Sequence, residues 1–240
     1  SSEKDRAYPA GFENYQKQGT GVWSIDRLTA PSLDAFTPDS LESVIENFDE
    51  PGYLHVKDPV VFDGAGGETV LMFCTHPLTW ASSNTGYAVR QPDEAPFTVK
   101  SWQLVGRGPI WDVAVTRLTD RMLLPRDGQS EPLAVYFYDG AECMLPLDQN
   151  PRGVKRPRGY SCEELGGVML GNADAFPEMR RLSYSAPLFV SPHGTGSSRY
   201  VHTLVTDDAV YATWEQSQPD GSQPLVMNRL AMDEVWRILG

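Results

Sequence analysis

The sequence lacks the features that mark membrane-spanning, disulfide-stabilised and zinc-binding proteins. None of its apolar runs approaches the roughly 18 residues that a membrane helix requires, so we expect no membrane partner. Its three cysteines, Cys74, Cys143 and Cys162, form no C-x-x-C pair, so neither a disulfide framework nor a zinc site is indicated. Buried free thiols are the simplest interpretation.

Positive charge is scarce as well. The 240 residues include 20 lysines and arginines against 32 aspartates and glutamates, which gives a net charge of -12. The densest basic stretch, "RGVKRPRG" at 152–159, is short and has little aromatic interleaving. Because binding to phosphate groups needs a basic face, we expect no nucleic-acid partner. An acidic cleft that faces a neutral or cationic ligand suits this composition better.

Helical periodicity is almost absent. Apolar residues recur at helical spacing only in "SLESVIENF" at 40–48 and in the final "AMDEVWRIL". Elsewhere, short runs rich in Val, Tyr, Phe, Trp and Thr alternate with clusters of Gly, Pro, Asn and Asp. This pattern predicts an all-β protein.

The predicted strands repeat in groups of three. The first strands of the groups are predicted at 55–62, 110–118 and 198–205, the second at 69–76, 133–140 and 209–216, and the third at 85–90, 165–170 and 224–230. A turn in which an acidic residue precedes phenylalanine follows the third strand of a group at 91–98 and 171–178. A similar turn occurs earlier in the chain, at 30–37. Units of about 55 to 80 residues with four antiparallel strands are typical of β-propeller blades, and a β-sandwich is the alternative.

Counting these units predicts a single β-propeller domain over residues 1–240 that lacks an N-terminal blade or part of one. Three units are complete, whereas the segment from Gly21 to Ile45 supplies only the last two strands of an earlier unit. A closed propeller needs at least four blades. We therefore expect the remaining strands in a segment before Ser1 or in a separate N-terminal chain that completes the propeller.

Three polar residues stand where predicted first strands begin. Asp58 lies in "HVKDPVVF", Asp112 in "GPIWDVAVTRL", and His193 just before the strand in "SPHGTGSSRYV". First strands of propeller blades line a shared central funnel, so these side chains are expected to converge there. Titratable groups that converge in a concave site indicate catalysis.

These same motifs resemble a family. "KDPVVF", "GETVLMFCTH", "GPIWD" and "SPHGTGSSRYV" are similar to segments of the five-bladed β-propeller glycoside hydrolases of family 43 and their invertase-like relatives. The resemblance implies a five-bladed fold in which Asp58 tunes the catalytic acid, Asp112 serves as that acid or its substitute, and His193 lies on the axis. It also allows a calcium ion on the propeller axis, with His193 as the residue near the metal or a water.

Loops between second and third strands supply further candidates. "YDGAEC" contributes Asp139 for substrate binding, and "YSCEELGG" contributes Glu164 as a third catalytic carboxylate. Trp80 and Trp111 either stack on a sugar ring or fill gaps between blades. Arg117 and Arg199, which lie along first strands, either clamp an acidic sugar or form ion pairs between blades. The predicted substrate-binding groups are Arg117, Arg199, Trp80, Trp111, Asp139 and His193.

The predicted function is hydrolysis of a glycosidic bond in an oligosaccharide or polysaccharide by carboxylates in the central funnel. Such cleavage uses one carboxylic acid to protonate the leaving oxygen and one carboxylate to activate water or attack carbon. Two alternatives stay open: a non-catalytic carbohydrate-binding propeller, and a polysaccharide lyase that acts on an acidic glycan. No required cofactor is predicted.

Overall fold

The computed structural model describes residues 1–92, 96–124, 131–143, 145–156 and 160–239. Strands account for 46% of the chain, and the described part contains one α-helix, which confirms the all-β prediction. The chain forms two compact units, Ser1–Val105 and Gly106–Gly240. In the part of the chain that the structure describes, no helix is both long enough and apolar enough to span a membrane.

The first unit contains two antiparallel sheets. One has the order β1-β2-β3 and the other is a meander with the order β4-β5-β6-β7. Their strands are β1 (Ser2–Lys4), β2 (Val22–Arg27), β3 (Glu42–Ile45), β4 (His55–Asp63), β5 (Thr69–His76), β6 (Asn84–Arg90) and β7 (Thr98–Val105). Both sheets contribute to one apolar core, formed by Ile25, Ile45, Val56, Leu71, Phe73 and Ala88.

The second unit contains two larger sheets and one small sheet. The larger ones have the orders β14-β13-β9-β8 and β15-β16-β17, and the small one has the order β10-β12-β11. The strands are β8 (Val115–Leu124), β9 (Leu133–Ala141), β10 (Leu145–Pro146), β11 (Val154–Arg156), β12 (Tyr160–Cys162), β13 (Leu165–Asn172), β14 (Arg180–Arg181), β15 (Ser198–Val205), β16 (Ala209–Gln216) and β17 (Leu225–Ala231).

The strand predictions agree closely with these bounds. β5, β15 and β16 begin and end where the sequence pattern places them, and the other predicted second and third strands differ by one or two residues. Their central strands read as continuous apolar runs because both faces are buried: seven of the eight residues of β5 are buried. The exception is the strand predicted at 110–118, since β8 begins only at Val115.

The two segments with helical spacing fold differently, and the two strands predicted between Gly21 and Ile45 are β2 and β3. The chain ends in helix α1 (Met232–Leu239), whose Val235 packs into the core formed by Met122, Leu124 and Val135. The segment 40–48, in contrast, contains the strand β3, which pairs with β2. A short segment with helical spacing gains more by burying Ile45 in a sheet core than by forming two isolated helical turns.

The turns with an acidic residue before phenylalanine are 3₁₀ turns where the structure describes them. They span Leu33–Ala35 and Ala173–Ala175. The third turn includes residues 93–95, which lie outside the described residues, as do residues 157–159 of the basic stretch.

A β-bulge interrupts the first strand of each of the three meanders. The pairing register shifts between Lys57 and Val60 in β4, between Leu118 and Asp120 in β8, and between Arg199 and His202 in β15. In β4 and β15 the extra residue adopts a left-handed backbone, with φ 53° at Asp58 and φ 55° at Tyr200. The internal repeat that the sequence predicts therefore extends to the backbone conformation.

Candidate functional site

Four of the predicted site residues meet in a buried charge network in the second unit. Arg117 donates to Asp139 Oδ2 from its terminal nitrogen at 2.6 Å and lies 3.1 Å from Glu164 Oε1. Arg199 donates to the other oxygen of Glu164 at 2.8 Å and to Glu215 at 2.7 Å. We call Arg117, Asp139, Glu164, Arg199 and Glu215 the arginine–carboxylate network.

Four strands and one loop position this network. Arg117 and Asp139 are direct cross-strand partners in β8 and β9, while Arg199 and Glu215 are partners in β15 and β16. Glu164 precedes β13, and its carbonyl accepts a hydrogen bond from Ser198 N at 2.8 Å. Of the two arginines, Arg199 pairs with Glu164 across the two sheets, whereas Arg117 pairs with Asp139 and Glu164 in or beside its own sheet.

The carboxylate of Asp139 lies in the most desolvated part of the network. It is fully buried and accepts hydrogen bonds from Arg117 and from the backbone N–H of Tyr200 at 3.2 Å. Burial raises the pKa of Asp139 to about 6; the Arg117 charge opposes this shift and the Glu164 charge adds to it. Asp139 is therefore ionised at neutral pH and gains a proton in mildly acidic solution.

A guanidinium separates the two innermost carboxylates. Because Asp139 Oδ2 and Glu164 Oε1 both contact one nitrogen of Arg117, these two oxygens are at most about 5.7 Å apart. That spacing is shorter than the roughly 6.5–9.5 Å of an inverting pair of carboxylates. The Tyr200 ring covers the other side of Arg117, 4.1 Å from the guanidinium carbon. Every charge here is paired, so the arrangement can hold the two sheets together.

Asp112 lies in a separate buried cluster of the same unit. It belongs to the turn before β8 rather than to the strand itself, and it is completely buried. Arg181 Nε donates to Asp112 Oδ2 at 2.9 Å, and the Tyr138 hydroxyl donates to the same oxygen at 3.1 Å. Asp112 Oδ1 is buried and has no hydrogen-bond partner in the described part of the chain.

Trp111 packs beneath this cluster instead of facing a ligand. Its ring is 4% exposed and stacks on Tyr138, with ring centroids 5.4 Å apart. Gly167, the cross-strand partner of Tyr138, leaves the space that the Trp111 indole occupies. A Cβ at position 167 would overlap the rings of both Tyr138 and Trp111. Trp111 is therefore buried against Tyr138 and Gly167.

The sheet separates Asp112 from the arginine–carboxylate network. Tyr138 and Asp139 are neighbours in β9, and neighbouring side chains in a strand point to opposite faces. Tyr138 contacts Asp112 on one face, and Asp139 contacts Arg117 on the other. Asp112 and Glu164, two of the three predicted catalytic carboxylates, thus belong to different faces of one sheet.

Asp58 lies in the first unit, at the fourth residue of β4 rather than at its start. It occupies the bulge with φ 53°, and Pro59 follows it. The preceding Lys57 places its ammonium group 4.8 Å from the ring centroid of Trp23 and 5.6 Å from that of Trp80. The ammonium group of Lys57 therefore lies near two indoles of this unit.

Trp80 is held between two buried histidines. Its ring centroid lies 4.3 Å from that of His55 and 4.5 Å from that of His76, which are cross-strand partners in β4 and β5. Trp80 is 4% exposed and has φ 58°, so its backbone is strained and its ring is mostly covered. His55 was not predicted as a site residue, because a histidine in an apolar run has no local sequence signal.

The two histidines have different tautomers. His55 Nδ1 accepts from Trp23 N at 3.3 Å, so its Nε2 carries the hydrogen that Tyr8 Oη accepts at 3.1 Å. His76 Nδ1 faces the Ser82 carbonyl at 3.1 Å and must donate to it, while its Nε2 lies 3.3 Å from the Cys74 sulfur.

His193 is an exposed residue of the loop before β15. Its backbone N–H donates to Ser191 Oγ at 3.1 Å, and its carbonyl accepts from Gly196 N at 3.1 Å. Gly194 and Gly196 have φ of 60° and 87°, values that glycine tolerates. Within the described ranges, no group of three or more His, Cys, Asp or Glu side chains is arranged to hold a metal ion.

Comparison with known proteins adds no relative to this picture. No protein-family model matches the chain, and no curated protein matches it in sequence.

Proposed function

We propose that the sheets of this chain are blades of a five-bladed β-propeller that hydrolyses glycosidic bonds in an oligosaccharide or polysaccharide. The antiparallel meanders with a bulge in each first strand support the propeller part of the proposal. The resemblance of "KDPVVF" and "GPIWD" to family 43 glycoside hydrolases supports the reaction part.

The observation that carries this proposal is the conformation of Asp58. A left-handed backbone within a strand is costly, and such strain is found mainly at sites where function requires it. The bulge turns one carboxylate away from the regular alternation of the strand. In this proposal Asp58 is the carboxylate that acts on the sugar, and the neighbouring Lys57 lies near the indoles of Trp23 and Trp80.

Asp112 and Glu164 have a supporting role in this proposal. Each is completely buried and paired with an arginine, Asp112 with Arg181 and Glu164 with Arg117 and Arg199. A completely buried carboxylate whose oxygens contact arginine has no open path to a substrate. Both residues therefore position other groups, and a carboxyl group outside these two clusters must protonate the leaving oxygen.

Reducing-sugar release from arabinan, xylan and other glycans tests the proposal. Replacement of Asp58 by asparagine should lower the rate at least about a hundredfold, because the carboxylate charge is lost. Asp63→Asn is the matched control, since Asp63 is an exposed aspartate at the end of the same strand. Its rate should stay within about twofold of wild type.

One outcome would contradict the role of Asp58. If Asp58→Asn and wild type released sugar at equal rates while both were folded by circular dichroism, Asp58 would have no catalytic role. The same comparison for Asp112→Asn decides whether Asp112 contributes at all.

A carbohydrate-binding protein without turnover is the second candidate. The complete pairing of the arginine–carboxylate network favours it, because paired carboxylates provide neither acid nor nucleophile. Binding on a glycan array with no sugar release from the bound glycan would select this candidate. A lyase is less well supported, since Arg117 and Arg199 already neutralise carboxylates and are not available to a uronate.

A further inference from the structure

The outer edge of β17 has no neighbouring strand among the described residues. In the two four-stranded sheets, a fourth strand covers this edge: β7 pairs with β6, and β14 pairs with β13. After β17 the chain instead turns into α1, whose Val235 packs into the core of the second unit. The last meander therefore ends in an open edge.

The backbone bonds at the two ends of β17 identify the groups on this edge. Gln216 N donates to Pro224 O, and Met232 N donates to Asp208 O, so the even-numbered residues face β16. The N–H and C=O groups of the odd-numbered residues Leu225, Met227, Arg229 and Ala231 point away from β16. The Asn228 side chain accepts from the N–H of Arg229, so that donor is occupied.

Apolar side chains lie along the same edge. Leu225 is 68% exposed and Met227 is 67% exposed, and both lie on one face of the strand. Edge strands are usually protected by lysine, proline or a covering loop. β17 contains neither lysine nor proline, and its one arginine is paired with Asp208 at 2.9 Å. An exposed edge of this kind is suited to pair with another strand.

The charge around the edge selects the partner. Residues 207–239 contain six acidic residues and two basic ones, for a net charge of -4. The carboxylates of Asp207, Asp220 and Asp233 are exposed, and within the described part of the chain no ion pair involves them. A second copy of the chain, with its own net charge of -12, would be repelled.

We propose that the edge of β17 binds an extended, basic segment of a different polypeptide by strand addition. The outward N–H and C=O groups of Leu225, Met227 and Ala231 would form the ladder. Apolar residues of the segment would cover Leu225 and Met227, and its lysines or arginines would face the surrounding carboxylates. This inference does not depend on the proposed function.

Fluorescence anisotropy with a labelled peptide tests the proposal on the full chain. The probe is an eight-residue peptide of alternating valine and lysine, and its counterpart carries glutamate in place of lysine. The lysine peptide should bind at least about tenfold more tightly than the glutamate peptide at low ionic strength.

Met227→Pro is the decisive variant. It removes an outward N–H without removing a bond to β16, so β17 should stay in the sheet while peptide affinity falls at least about tenfold. Met227→Leu is the matched control, because it keeps both the N–H and an apolar side chain. Asp220→Asn/Asp233→Asn, which leaves the backbone unchanged, should also weaken binding and serves if the proline variant fails to fold.

Three binding results would overturn the proposal. Wild type and folded Met227→Pro could bind the lysine peptide with equal affinity, wild type could bind both peptides with equal affinity, or wild type could fail to bind the lysine peptide. Dimerisation of the chain that Met227→Pro abolishes would show that a second copy is the partner, which would also overturn it.

Discussion

Replacing Asp139 by asparagine should change how the stability of the second unit depends on pH. Asp139 is fully buried, and burial raises its pKa from an ordinary value of 3.8 to about 6. Between these two values the folded chain holds a proton that the unfolded chain has released. The free energy of unfolding that Asp139 contributes is therefore highest at low pH and falls as the pH rises through about 6.

The size of this effect follows from the shift. Each pKa unit corresponds to about 1.4 kcal/mol, so a shift of roughly two units corresponds to about 3 kcal/mol. Asparagine does not titrate. Between about pH 4 and pH 7, the unfolding free energy of wild type should therefore fall by about 3 kcal/mol relative to that of Asp139→Asn.

Urea unfolding, followed by circular dichroism and tryptophan fluorescence, measures this difference across the pH range. Asp208→Asn is the control: Asp208 is exposed, and hydrogen bonds from Thr206 and Arg229 lower its pKa. Its stabilising contribution is lost only as the pH falls below the ordinary range of an aspartate, so its difference should be flat above about pH 4.5.

A second variant checks the cause of the shift. The charge of Glu164 adds to the raised pKa of Asp139, so the pH-dependent effect of Asp139→Asn should be smaller in a Glu164→Gln chain than in wild type. The reasoning would be refuted if the difference between wild type and Asp139→Asn stayed constant within about 0.5 kcal/mol, or if wild type gained stability relative to Asp139→Asn with rising pH.

Two further predictions concern Asp112 and are measured by thermal denaturation. Arg181→Met should lower the free energy of unfolding by about 3–5 kcal/mol, because it leaves the buried Asp112 carboxylate with Tyr138 as its partner. Adding Asp112→Asn to this variant should restore part of the loss. Equal stability of Arg181→Met and wild type would contradict this prediction. Gly108→Ala should cost about 1–3 kcal/mol, since its methyl group would overlap the Asp112 carboxylate, whereas Gly106→Ala, which meets no atom within 4 Å, should cost less; the opposite order would show that the site can relax.

The sequence alone was sufficient to predict most strands of this protein. Alternating and continuous apolar runs bounded by turn residues predicted β5, β15 and β16 at their observed ends, because strand formation depends on local backbone preference and on burial of a face. The helical spacing of α1 was informative for the same reason. At 40–48 the same kind of spacing was misleading, since pairing with β2 outweighs the propensity of a segment of nine residues.

Pairing of the candidate site residues was decided only by the tertiary structure. Arg117, Asp139, Glu164 and Arg199 could be named as charged groups near strand ends, but the sequence left open whether the arginines bind an acidic sugar or carboxylates of the chain. Arg181, which pairs with Asp112, is 69 residues away and was not predicted at all. No local pattern records such a pair, because it depends on which strands become neighbours.

Composition and local pattern thus determined that this chain is an acidic, all-β protein with a repeated strand group. The tertiary structure decided which charges are removed from water together, and on which face of a sheet Asp112 and Asp139 lie. The physical reason is one of range. Strand propensity acts between residues a few positions apart, whereas the desolvation of a carboxylate and its compensation by an arginine are set by groups that only folding brings into contact.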